Sequence, residues 1–341
     1  MKYLLVAACI ICISVTGFAQ KPLSADSLRK TTMQSPADSL NKRPATRQKA
    51  KNKTYRELSE AMNEADSVYR LDLGRKSLTE IPAQILKFPN LEVLALDNNK
   101  ILEIPATITT LKNLKQISIR NNEITVIPAE IGNMKQLQVM DLSNNKITKI
   151  PVEISKLELL ERLTLTNNQI TAIPPEIAKT PKLQMLNLES NQISTIPPAV
   201  MKMEELTQLD LTNNLVENLS PEIEGLKNLR TLRLGNNKLK SLPNELGNLT
   251  KLDRIELKEN QLQRVPASFG NLLALRSLDL SGNPLVDLPI PELAKIPNLR
   301  SLMISNVAKS PRTPPASKPV TPNTPTQRTT PEINKEKQNP K

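Results

Sequence analysis

The chain repeats itself every 23 residues, and no other feature limits so strongly what it can fold into. The stretch LQVMDLSNNKITKIP (137–151) is matched 23 residues earlier by LKQISIRNNEITVIP and 23 later by LERLTLTNNQITAIP. The register holds from Val68 through Leu91, Leu114, Leu137, Leu160, Leu183, Leu206, Leu229 and Leu252 to Leu275, ten copies without a slip. A one-residue insertion near Pro289–Pro291 delays the next start to Leu299, which opens a partial copy. A fixed period of this length marks a stack of like units, each touching only its neighbours.

Each unit reads L-x-x-L-x-L-x-x-N-x-[IL]-x-x-[ILV]-P-x-x-[ILVF]. Alternation such as Met140 and Leu142 inward, with Val139, Asp141 and Ser143 outward, predicts one short strand per unit. The chain must then turn with its backbone between neighbouring coils, away from water. An amide side chain carries both donors and an acceptor and can satisfy several such groups. This assigns a structural role to Asn99, Asn122, Asn145, Asn168, Asn191, Asn214, Asn237, Asn260 and Asn283. The proline that follows fixes φ on the return path, where no ladder hydrogen bond is needed. Ser220 replaces it once, marking a local irregularity. Apolar pairs such as Ile131/Met134, Ile154/Leu157 and Leu246/Leu249 complete an almost wholly aliphatic core, since aromatics are 2% of the chain.

This unit resembles the leucine-rich repeat family in its 23-residue form, over about residues 68 to 305. The resemblance implies an α/β solenoid: a curved horseshoe with a parallel concave sheet of about 11 short strands and an irregular or short-helical convex side. The style "IPxEIGxLxxL" is also similar to the Ras-binding group of intracellular repeat proteins, which would imply an effector acting on small GTPases in a host cell.

At the first end, Thr54 and Glu57 read as a capping box. Tyr55, Leu58, Met62 and Ala65 form one apolar stripe, so a helix over 54–67 is expected to cap the first coil. The last end has a half unit, LRSLMIS, and no recognisable cap. Residues 1–19 read as a secretory signal: Lys2, an apolar run from Leu4 to Val15, then Gly17-Phe18-Ala19 before a cut ahead of Gln20. An uncleaved anchor and a lipid on Cys9 in "VAAC" are the alternatives; the first needs a longer run, and the second would leave the apolar IICIS at the new terminus.

Cleavage removes Cys9 and Cys12, the two cysteines, from a chain that has no histidine. Thiol catalysis, Cys/His zinc sites and serine–histidine triads are thereby excluded in the mature chain. With eight glycines there is little room for a phosphate loop. No enzyme, no cofactor and no metal are expected.

Residues 20–53 and 308–341 are polar and Ser/Thr/Lys/Pro-rich, and read as disordered linker and tail. They hold most of the +12 net charge, because residues 67–307 carry 28 basic and 26 acidic groups. Such tails keep a segment solvated or rest weakly on an anionic envelope surface. Without stacking aromatics, specific nucleic-acid recognition is not expected. ADSL occurs at 25–28 and 37–40 and resembles the O-glycosylation sequon of some bacterial secreted proteins.

Function then falls to the outward strand positions, which vary from coil to coil while the frame does not. Arg120, Asp141, Arg162, Thr164, Asn187, Gln208, Asp210, Arg233, Arg254, Glu256 and Lys258 are the candidate contacts, with Arg162 and Arg233 first. Mixed charge without rings suits a protein or peptide better than a sugar. The expectation is a secreted or envelope-located, monomeric, non-enzymatic binder with no transmembrane span after cleavage; an envelope-associated structural or adhesive protein held by its basic tails is the rival.

Overall fold

A computed structural model describes residues 52–305. The leader, most of the 20–53 linker with both ADSL segments, and the 308–341 tail lie outside the described residues. Alternation in each unit produces a strand of three residues, and eleven of them form one open parallel sheet in chain order. They are β1 (Arg70–Asp72), β2 (Val93–Ala95), β3 (Gln116–Ser118), β4 (Val139–Asp141), β5 (Arg162–Thr164), β6 (Met185–Asn187), β7 (Gln208–Asp210), β8 (Thr231–Arg233), β9 (Arg254–Glu256), β10 (Ser277–Asp279) and β11 (Ser301–Met303). Pairing keeps the sequence period, as in Arg162 opposite Met185. The inserted residue falls in a short helix, α2 (Ile290–Leu293), so that Ser277 still meets Ser301.

Between strands the chain returns through single 3₁₀ turns, such as Val152–Lys156 behind Pro151. The prolines hold φ between −60° and −71° at these entries. Ser220 adopts φ −73° and ψ 148°, the same path, with Pro221 just behind it. The substitution therefore leaves the backbone regular, contrary to the irregularity expected there.

Leu163, Leu165, Ile170 and Ile177 are each 0% exposed, and one aliphatic core runs through all coils. Asn168 shows how the turn is closed. Its Oδ1 accepts the Ile147 N–H (3.0 Å) of the preceding coil, and its Nδ2 donates to Leu142 O (3.1 Å) there and to Leu165 O (3.0 Å) in its own coil. Asn99 accepts from Lys76 N–H and Leu78 N–H, and the other seven take the N–H of Ile101, Ile124, Ile170, Ile193, Val216, Leu239 and Leu262.

The residue before each of these is a second ladder. Asn98, Asn121, Asn144, Asn167, Asn213 and Asn236 have φ of 52–59°, the left-handed region that asparagine tolerates best among side-chain-bearing residues. Exposed amides join neighbours, as Asn167 Nδ2 to Asn144 Oδ1 at 2.8 Å. The doublet "NN" is thus two devices, one amide for buried backbone and one for a positive φ.

The first end differs from expectation. The helix, α1, covers only Leu58–Asn63, its N-cap is Glu57, and no side chain caps it. Thr54 and Tyr55 lie outside the helix, and Tyr55 pairs with the sheet edge: its N–H donates to Arg70 O (3.0 Å) and its carbonyl accepts the Asp72 N–H (2.8 Å). A β-bridge competes here with the capping box and wins.

Candidate interaction face

The outward side chains of the strands form three columns across the sheet, one at each end of every strand and one just beyond it. Neighbouring strands lie about 4.8 Å apart, so equivalent side chains in adjacent coils touch. Asp97 and Arg120 do so: Arg120 Nη2 lies 3.0 Å from Asp97 Oδ2, and Ser118 Oγ donates to Asp97 Oδ1 at 2.6 Å. Arg120 also reaches Asp141 at 3.8 Å.

A second cluster spans β7–β9. Arg233 Nε is 3.1 Å from Glu256 Oε1 and its Nη1 is 3.4 Å from Asp210 Oδ2. Arg254 stands 3.9 Å from Glu256. Burial works against the charge of Arg233, but Glu256 and Asp210 outweigh it and its pKa is raised. Burial pushes the Asp141 carboxyl up despite hydrogen bonds from Ser143 and the charge of Arg120. Glu189 is likewise raised, by burial and then by Asp210.

Several of the expected contacts are thereby engaged within the fold. Asp141 Oδ1 accepts both the Ser143 N–H (3.0 Å) and its hydroxyl (2.6 Å). Asn187 Oδ1 accepts the Glu189 N–H (2.9 Å) and the Thr166 hydroxyl (3.0 Å). Asp210 Oδ1 accepts the Thr212 N–H (3.0 Å), and Asp72 and Asp279 serve Gly74 and Ser281 in the same way. These side chains tie down the strand exit. The signal was in the sequence: Asp or Asn recurs at this one position in five coils.

Packing across the strands also hides residues expected to point into water. Asp97, Ser118, Ser143, Asp210 and Asp279 are buried on the sheet face beneath their neighbours. Arg162, Thr164, Gln208 and Lys258 differ. Among the described residues their side chains have no hydrogen bond or ion pair, and Arg162 stands half-buried between Val139 and Met185 of the adjacent strands. A feature that pattern reading missed is a hollow over β1–β3, lined among others by Arg70, Asp72, Val93, Ala95, Gln116 and Ser118. Small side chains in successive coils were its only trace.

Among the described residues, no cluster of three or more Asp/Glu/Cys/His could hold a metal, and no helix is long and apolar enough to cross a membrane.

A profile of the Leucine rich repeat family matches residues 66–124, 112–170, 158–216, 204–262 and 227–285. Among solved structures, a leucine-rich repeat protein of Leptospira interrogans is 26% identical, with 74% of this chain and 88% of that one covered and a TM-score of 0.51. The Arabidopsis receptor kinase HAESA, solved with a peptide hormone and a co-receptor, is 27% identical over 74% of this chain, with a TM-score of 0.61. This chain spans only 44% of that one. An internalin of Listeria monocytogenes, 22% identical with 72% and 84% covered and a TM-score of 0.56, shares the fold. No curated protein matches the sequence.

Proposed function

From the premise that this chain belongs to the leucine-rich repeat family, we propose that its sheet face binds a protein or peptide outside the cytoplasm, after loss of residues 1–19, without catalysing a reaction. The family fold commonly serves as a binding scaffold, and the HAESA receptor was solved holding a peptide hormone. One observation carries the reading. On a face whose frame repeats, Arg162 stands half-buried between Val139 and Met185 of the adjacent strands, and among the described residues the fold leaves its guanidinium unpaired. Folding gives no reason to place a half-buried arginine there, whereas recognition does, because arginine anchors interfaces through bidentate, partly desolvated contacts.

Arg254, 45% exposed at its side chain, and Lys258 extend the same surface, so the partner is expected to bring carboxylates to it. Arg233 drops out of first place, since Asp210 and Glu256 already hold it. Capture from spent medium and from the cell surface tests the proposal. The unaltered chain should retain a partner that Arg162→Ala with Arg254→Ala loses and Lys179→Ala with Glu222→Ala keeps. If convex changes or removal of the basic tails abolish retention while the face variants do not, the tail-tether reading replaces this one.

A further inference from the structure

Each coil hands its free hydrogen-bonding groups to the next. The Leu280 N–H donates to Met303 O (2.8 Å), and Arg276 O accepts the Ser301 N–H (3.1 Å). The equivalent groups one coil on are the Ile304 N–H and Arg300 O. With the N–H and carbonyl of Leu302, they face away from β10, as alternation in a ladder requires. β11 ends the sheet, and among the described residues nothing pairs with these groups.

The side chains tell the same story. Leu275, Leu278 and Leu280 are 0% exposed, but their counterparts Leu299 and Leu302 are half-buried and Ile304 is 40% exposed. Of eight large hydrophobic residues exposed among the described residues, Ile290, Met303 and Ile304 belong to the last two coils. A concentration of this kind marks a contact surface.

The sequence that follows is poorly suited to cover it. Where the repeat calls for asparagine and then an apolar residue it has Val307 and Lys309, and residues 308–341 contain eight prolines, none with an N–H to give. A second β11 fits. Placed antiparallel across a two-fold axis at Leu302, the two Leu302 residues exchange both hydrogen bonds, and each Ile304 N–H meets the partner's Arg300 carbonyl. Every free group identified above is then used, and Ile304 and Leu302 are covered. We propose that the chain forms a two-fold dimer by β11–β11 pairing, one sheet continuing through both copies. The opposite edge is already taken by Tyr55, so pairing stops at two and cannot run on into a filament.

Light scattering on the chain from Gln20 to Lys341, over a concentration series, tests this. The expected mass is that of two chains, with Ile304→Pro, which removes the edge N–H, and Met303→Asp each weakening dimerisation at least tenfold while leaving the melting temperature of the monomer unchanged. A single-chain mass at every concentration would overturn the proposal. So would a dimer indifferent to both variants, or a monomer that becomes a dimer only when residues 308–341 are deleted, since the tail would then be the natural occupant.

Discussion

Asn168 and Arg162 sit six residues apart in one coil, and their surroundings could hardly differ more. Every polar atom of the Asn168 amide is spent on backbone groups of two coils, at 8% exposure, and the same residue recurs in the coils on either side. Arg162 has no partner among the described residues, and its equivalents one coil away are Val139 and Met185. One belongs to a frame that every coil must satisfy to stack on its neighbours. The other belongs to a face that stacking leaves free. Position in the repeat, not residue chemistry alone, decides which side chains the frame consumes and which it leaves available.

The frame should break most severely in its apolar layer. Leu165→Ala leaves a cavity in a 0%-exposed site and should cost about 2–5 kcal/mol in urea unfolding. Asn168→Ala strands buried backbone groups and should cost about 1–3 kcal/mol. Asn167→Ala, next door, removes only tolerance of a φ of 53° and an exposed amide contact, so its loss should be about 1 kcal/mol and smaller than that of Asn168→Ala. Equal losses at the two would erase the distinction between the ladders.

Asp141 belongs partly to both regions, and pH separates its roles. Burial raises its folded pKa above the unfolded value, so its contribution is fully present below the unfolded pKa and is lost as pH rises through the folded one. The stability of the unaltered chain relative to Asp141→Asn should therefore improve as pH falls from neutral into the acid range. A difference that stays flat or reverses there means that the hydrogen bonds from Ser143 outweigh burial. The smallest effect is a gain. Ser190 occupies a left-handed position, φ 56°, that asparagine fills in six other coils, and Ser190→Asn should stabilise by less than about 1 kcal/mol.

The solenoid and its asparagine ladder were legible because each coil sees the same neighbours, so one apolar pattern is written ten times and its asparagine nine times. The single parallel sheet of eleven strands follows from that periodicity. What was not legible arises once, or between coils. Tyr55 joins the sheet because the edge of β1 offers it partners that a capping box at Thr54 cannot match, and nothing in residues 54–57 announces that edge. On the face, charge type showed where Arg233 and Arg162 lie but not that Asp210 and Glu256 consume the first and spare the second. Those pairings depend on side chains 23 residues away reaching across adjacent strands, which alternation does not encode. Asp141, Asn187 and Asp210 also tie down the strand exit, a role whose recurrence was visible in the sequence but was obscured by variation elsewhere on the face.

The division between frame and face is tested most directly by measuring one variant twice. Arg162→Ala should unfold in urea within about 0.5 kcal/mol of the unaltered chain, as surface changes outside special sites do, while binding of the captured partner weakens by more than about 1 kcal/mol. A variant that unfolds markedly earlier, or that binds as tightly as before, contradicts the assignment of Arg162 to recognition.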